Sequence, residues 1–520
     1  GFTVTELEEL LQELERAGGL DDHQVDAAVG VQRLIDAGVL VRHRNGRIDF
    51  RHALLRDIIY RSLSDSRRER LHKAAYEMYQ RLPLPHEHRL PRLALHAAHS
   101  GAKESAAKAY LELAERALKA HAYLESEAAF GRALENLSEQ DERVVAAERG
   151  RGLMRFRLGR SEDALKDLRH ACERARALGL TRREAELLLD EAMVLDWTRD
   201  FEQSAARVRT VEALLSETTG LLAARLAMSV ARVAHREGAA EACVRLGVVA
   251  ASRAERLGDE GYETRLIALM MVAPDCANLG RLEEAERYFE SVIAEADRHG
   301  DLLHLGAAFV NRALLWFARK DTERLFADLS RAVQISREIG EPRLEYCTLC
   351  NMAEVEYAIE RLDAARQHTE RALVLARQLW GESMELGTRE LLLARIALYA
   401  GDFGDAGALA ARVRARLADQ QANPGSDVDL SESDRALLGM VELRVRDAGG
   451  AEWEALAGYC RQLSLQPHEE LEILESRALA ARARGEHEVS RRLFESALAL
   501  SRMRPNLLSE RVARRAAQQT

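Results

Sequence analysis

Lysine, proline and aromatic residues are scarce in this chain. Six lysines stand against 75 − 6 = 69 arginines, aromatics make up 5%, and eight prolines are spread over 520 residues. So few helix breakers leave long stretches free to coil, and the Ala, Leu, Glu and Arg that dominate favour helix, which gives an all-α composition. The arginine bias suggests a GC-rich bacterial genome. Six scattered cysteines exclude a disulfide scaffold and suit a reducing compartment, so the expected location is the cytoplasm. No apolar run reaches membrane-spanning length and no signal peptide is visible, so no membrane partner is expected. With a net charge of −10, a nucleic-acid coat is not expected either. Also missing are a Gly-x-x-x-x-Gly-Lys-Ser/Thr phosphate cradle and the His-Arg-Asp and Asp-Phe-Gly phrases of protein kinases.

What is present is a segment that returns. Gly280-Arg281-Leu282-Glu283-Glu284-Ala285 is followed by Phe289 and Val292. Its skeleton recurs at Gly159-Arg160-Ser161 with Ala164 and Ala171, at Gly401-Asp402-Phe403 with Ala406, and at Gly485-Glu486-His487 with Phe494 and Ala497. Small residues at i and i+7 with a large one at i+4 share one helix face, where the small ones let a neighbouring helix approach. This pattern resembles the antiparallel helix pair of the tetratricopeptide repeat (TPR). The small-residue position falls at Ser126, Ala164, Ser204, Ala242, Ala285, Leu325, Ala365, Ala406, Ala455 and Ser490, about 40 apart through the middle of the array. The usual TPR period is about 34 residues, so longer helices or wider connections are expected. Phrases such as Arg298-His299-Gly300-Asp301 and Glu338-Ile339-Gly340-Glu341 place glycine where a helix end needs a left-handed residue.

Before the repeats, residues 5–17 and about 23–36 read as helices, the second capped by Asp21-Asp22. Asn45-Gly46 between Val39–Arg44 and Arg47–Phe50 is a hairpin signal. Helices followed by one hairpin make a winged-helix-like unit. The phrase Phe50-x-His52-x-Leu54-x-Arg56-x-x-x-Tyr60, then Leu71-His72, then Leu93-Ala94-Leu95-His96, resembles the junction in bacterial signal-transducing ATPases of the STAND class. The array beyond resembles the long-period TPR superhelix of maltose-regulator-type activators, also found in multidomain Ser/Thr kinases and adenylyl cyclases. That resemblance implies an ATPase module, and in some cases a kinase, preceding the winged helix. The chain opens on glycine and enters helix-like sequence at once, as expected of a piece of something longer.

The expected fold is therefore an all-α, TPR-like α–α superhelix with a small N-terminal winged-helix-like unit carrying one β-hairpin. Its domains are a winged-helix-like module (1–60), a helical connector (61–103) with a bent stretch at Leu82–Pro91, and about eight helix pairs (104–418). A loop (419–433) and terminal repeats with a polar cap bearing Arg511, Arg514 and Arg515 (434–520) complete it.

No acid–base or nucleophile constellation stands out, so no catalytic residue, cofactor or metal ligand is expected and the chain is read as non-enzymatic. Cys347 and Cys350 lack a second ligand pair, and His96/His99 and His86/His88 lack a third ligand. Binding is what stacked helix pairs suggest, on the face lined by the first helix of each pair. The register places there Asp190, Met193, Asp196 and Trp197, then Met270 and Pro274. Asn311, Leu314 and Phe317 follow, then Asn351, Glu354 and Tyr357, and then Arg395. Asn311 and Asn351 stand 40 apart, a spacing suited to a row of amides on an extended peptide or small ligand. The expected function is a sensor and scaffold that binds a protein, peptide or small-molecule effector and regulates an upstream ATPase or kinase module of the same chain. The alternative is a DNA-binding regulator acting through Arg33, Arg42, Arg44, Arg47 and Arg51.

Overall fold

The computed structural model describes every residue except 19–25, 121, 199, 216–217, 382–384, 423–429, 464, 466, 504–506 and 518–520. The chain divides into two compact units, 1–216 and 217–520.

The first unit opens with α1 (Val4–Arg16), α2 (Ala27–Asp36), β1 (Leu40–Arg42) and β2 (Ile48–Phe50). It continues through α3 (Ala53–Ser62), α4 (Asp65–Arg81) and α5 (His86–His99). Three helix pairs follow: α6 (Lys103–Lys119) with α7 (Tyr123–Asn136), α8 (Arg143–Arg157) with α9 (Ser161–Ala177), and α10 (Thr181–Trp197) with α11 (Phe201–Leu214).

Helix α1 begins at a capping box in which Thr3 Oγ1 accepts from the Glu6 amide at 3.1 Å and Glu6 Oε2 accepts from the Thr3 amide at 2.8 Å. Asp26, which accepts from the Val29 amide at 3.0 Å, caps α2. The expected cap at Asp21-Asp22 lies outside the described residues. The hairpin forms where Asn45-Gly46 predicts it, with Leu40 opposite Phe50 and Gly46 at φ +79°. Phe2 bridges to Ile48 and closes a small core of Val31, Leu40 and Ile48. The bent connector is shorter than expected, because α5 starts at His86 and carries Pro91 inside it.

The second unit pairs α12 (Gly220–Arg236) with α13 (Ala240–Glu255), α14 (Tyr262–Asn278) with α15 (Leu282–His299), and α16 (Leu302–Arg319) with α17 (Thr322–Glu338). Next come α18 (Pro342–Ala358) with α19 (Leu362–Trp380) and α20 (Glu385–Ala400) with α21 (Phe403–Ala422). Last are α22 (Glu432–Val445) with α23 (Gly450–Cys460), α24 (Pro467–Ala483) with α25 (His487–Met503), and α26 (Leu507–Ala517). The loop expected at 419–433 is narrower, since α21 runs to Ala422 and α22 starts at Glu432; Asn423-Pro424-Gly425-Ser426 lies outside the described residues.

The small-residue seam is where the pairs close. Ser126, Ala164, Ala285, Leu325, Ala365 and Ala406 are fully buried, and Ser204 and Ser490 nearly so. Two positions need correction. In α13 the buried residue is Cys243, one place beyond Ala242, and in α23 Ala455 faces solvent while Trp453 fills the seam. The phase is shifted by two residues there, in α23, the shortest helix of the pairs at 11 residues. Gly300 and Gly340, at φ +65° and +66°, end α15 and α17 as the sequence predicts.

The residues of the winged-helix junction phrase meet in space. Tyr60 Oη lies 2.8 Å from His72 Nε2, His72 Nδ1 lies 2.9 Å from His96 Nδ1, and the His72 and His99 rings sit 4.7 Å apart. Burial pushes the imidazoles of His72 and His96 down to about 4, helped by their neighbouring histidines and, for His96, by Arg92. A depressed pKa means that the folded state resists protonation while the unfolded chain accepts protons below its ordinary value near 6.5. This contribution is therefore intact above pH 6.5 and is lost as pH falls towards 4. Thermal melts over that window should show about 1–3 kcal/mol of acid destabilisation from the pair, after allowing for solvent screening. His96→Gln should flatten the slope.

Candidate functional site

The first helices of the pairs in the second unit form a row in which α12 touches α14, α14 touches α16, and α16 touches α18. Their common face is the one on which binding is expected from the sequence. On α18 it is not open, because the chain's own C-terminal helices lie against it. Leu471 of α24 and Leu508 and Val512 of α26 pack with Ala358 and Phe317, and Leu507 joins the cluster of Phe289, Trp316 and Val355.

A polar network runs through this contact. Glu472 of α24 accepts from Tyr357 Oη at 2.6 Å and from Arg395 Nε at 2.8 Å. Glu475, one turn on, accepts from Arg511 Nη2 at 2.8 Å, from Arg515 Nη1 at 3.2 Å and from Tyr399 Oη at 3.3 Å. Arg511 also donates to the Tyr357 carbonyl at 3.1 Å and lies over the rings of Tyr357 and Tyr399 at 4.9 and 5.0 Å. At the rim, Glu360 accepts from Arg515 Nε at 2.9 Å, and Lys320 Nζ lies 3.0 Å from Glu510.

These charges are out of water: Glu475 is 0%, Glu472 1% and Arg511 1% exposed. Burial alone would drive the Glu472 carboxyl up, yet Arg395 holds it below the usual carboxylate range. The Tyr357 and Tyr399 phenols are pushed up by burial and by the adjacent carboxylates, and so remain neutral donors. In so desolvated a network, removing one partner strands the other charge in the interior.

The sequence-predicted site residues therefore separate. Tyr357 and Arg395 are buried under α24 and α26, Phe317 is half-buried beside Leu508, and Glu354 stays at the edge, 3.7 Å from Arg395. Asn311, Asn351 and Met270 are half-buried, and neither amide has a hydrogen-bond partner among the described residues. In the first unit Asp190 is buried and accepts from Arg149 Nε at 2.6 Å, while Asp196 is buried and Met193 half-buried. Trp197 is 62% exposed, edge-on to Phe156. Arg511 does not cap the array as a solvated residue; it is among the most buried large side chains. Cys347 and Cys350 are half-buried thiols on α18 against the core of α19–α22. Arg33, Arg42, Arg44 and Arg51 are exposed, and Arg47 is half-buried and donates to the Gly1 carbonyl.

Glu472 and Glu475 were missed because their partners stand 36 to 115 residues away. A signal existed: Glu472 and Glu475, spaced i, i+3, stand among Leu471, Ile473 and Leu474, where charged residues are seldom left unpaired.

No family model matches the sequence, and no curated protein matches it. Solved structures match the fold. A Rap protein complexed with competence and sporulation factor aligns over 73% of this chain and all of its own, at 12% identity and a TM-score of 0.53. The apo form of RapI aligns over 69% of this chain and 98% of its own, at 12% identity and a TM-score of 0.49. A STAND protein with a tetratricopeptide repeat sensor, from Pyrococcus horikoshii, aligns over 81% of this chain at 13% identity and a TM-score of 0.45; the chain spans 62% of that protein's length. At such identities the likeness is one of architecture: the chain is an all-α stack of TPR-like helix pairs preceded by a small unit with one β-hairpin.

Proposed function

We propose that this chain is a non-catalytic sensor and scaffold whose α14–α20 face receives a helical or extended protein segment and thereby regulates an upstream ATPase or kinase module. One observation carries the reading. The face of α16, α18 and α20 already holds a helix, α26, by an apolar stripe (Leu507, Leu508, Val512) and an arginine inserted beside Tyr357. That is the helix-in-groove mode of recognition, with the chain supplying its own occupant. A partner with the same pattern, apolar residues at i, i+1 and i+5 and basic residues on the flank, competes for the same face. Occupancy by partner or by α26 then gives two arrangements for the upstream module to sense. Asn311 and Asn351, whose amides have no partner among the described residues, would extend the receptive face beyond α26.

The test uses the chain ending at residue 503 and a synthetic peptide of residues 504–520. Saturable binding is expected, with Glu360→Lys weakening it about 3- to 10-fold through loss of the rim contact to Arg515. No binding by the truncated chain, folded by circular dichroism, would remove the helix-receptor reading.

A further inference from the structure

Buried carboxylates in this chain as a rule meet guanidinium groups. Asp167 is held by Arg151 at 2.7 Å, Asp328 by Arg312 at 2.7 Å and Glu475 by Arg511 at 2.8 Å. Asp275, near the end of α14 with a side chain 5% exposed, is different. Its partners are His235 Nδ1, 3.0 and 2.9 Å from its two oxygens, and the thiol of Cys243. His235 stands in the last turn of α12 and Cys243 in the first turn of α13, so the turn between them folds both ligand types onto the third helix. The three donor atoms all lie within 4.8 Å of one another, and no other such group occurs among the described residues.

We propose that His235, Cys243 and Asp275 form a binding site for a thiophilic divalent cation of the zinc type. The donor set suits it: an imidazole, a carboxylate and a thiolate are the groups zinc takes, with bonds of about 2.0–2.3 Å. Such bonds in a tetrahedron place ligand atoms about 3.3–3.8 Å apart, a movement of a few tenths of an ångström from the His235–Asp275 separation. Charge balances as well, since one thiolate and one carboxylate neutralise M²⁺ in a place where no arginine among the described residues pairs with Asp275. His235 is 35% exposed, which leaves a solvent side for entry and for a water as fourth ligand. The ligand is the thiolate, so binding releases the Cys243 thiol proton to solvent.

Packing alone does not demand cysteine here. Cys243 occupies the seam position that is serine at Ser126 and Ser204, so Cys243→Ser keeps the seam and removes the soft ligand. The chain, stripped with a chelator and titrated with cobalt(II), should bind one equivalent with a thiolate-to-cobalt charge-transfer band that zinc discharges. Cys243→Ser should abolish the band. His235→Ala should weaken binding more than about 100-fold, since even outer-shell changes at metal sites cost 10- to 100-fold. A Cys347→Ala/Cys350→Ala variant should keep the band in full. Absence of the band in the parent chain, its survival in Cys243→Ser, or its loss only when Cys347 and Cys350 are replaced would each overturn the assignment.

Discussion

Replacing Arg511 by alanine is expected to destabilise the second unit by about 3–5 kcal/mol, because it strands a carboxylate in the interior. Glu475 is fully buried, and Arg511 is its nearest cation at 2.8 Å. Arg515 at 3.2 Å and Tyr399 at 3.3 Å remain, which places the loss towards the lower end of that range. The guanidinium also fills the space between the rings of Tyr357 and Tyr399, so the truncation opens a gap as well as a charge. Denaturant midpoints followed by circular dichroism measure the loss. The double change Arg511→Met/Glu475→Leu should restore at least half of it, since an apolar pair of similar volume removes the stranded charge. Without that recovery, the network would hold α26 by packing alone.

The second large effect lies in the repeat seam itself. Phe289 on α15 is fully buried in the cluster with Val272, Ala273, Leu325 and Leu329, and stands four residues after the seam alanine Ala285. Phe289→Ala should cost about 3–5 kcal/mol, through lost transfer energy and a cavity that helices fixed on both sides cannot close. Leu314→Ala on the 51%-exposed side of α16 should change stability by no more than about 0.5 kcal/mol. The contrast separates a seam residue from one that merely belongs to a helix.

The seam is also what could be read from sequence. Ala285, Phe289 and Val292 were placed on one buried face by spacing alone, and all three are fully buried. The hairpin and the glycine-ended helices were legible for the same reason, because each depends on residues within one or two turns. Spacing reports that a face is buried but not what buries it. Spacing put Tyr357 and Arg395 on the inner row, whereas Glu472 and Arg511, which cover them, lie 77 to 154 residues further along. His235, Cys243 and Asp275 were invisible likewise, because His235 and Asp275 stand a full repeat of 40 residues apart and only the helix stack joins them. Where α23 shortens the pair, the period itself fails and Trp453 takes the place predicted for Ala455.

Amide hydrogen exchange on residues 1–520 tests most directly whether the inner face is held by α26. Residues 507–517 should be protected to about the same degree as 342–358 in the parent chain, and Arg511→Ala should release the first segment while much of the second stays protected. Rapid exchange of 507–517 in the parent chain, beside a fully protected α18, would mean that the inner face does not hold α26.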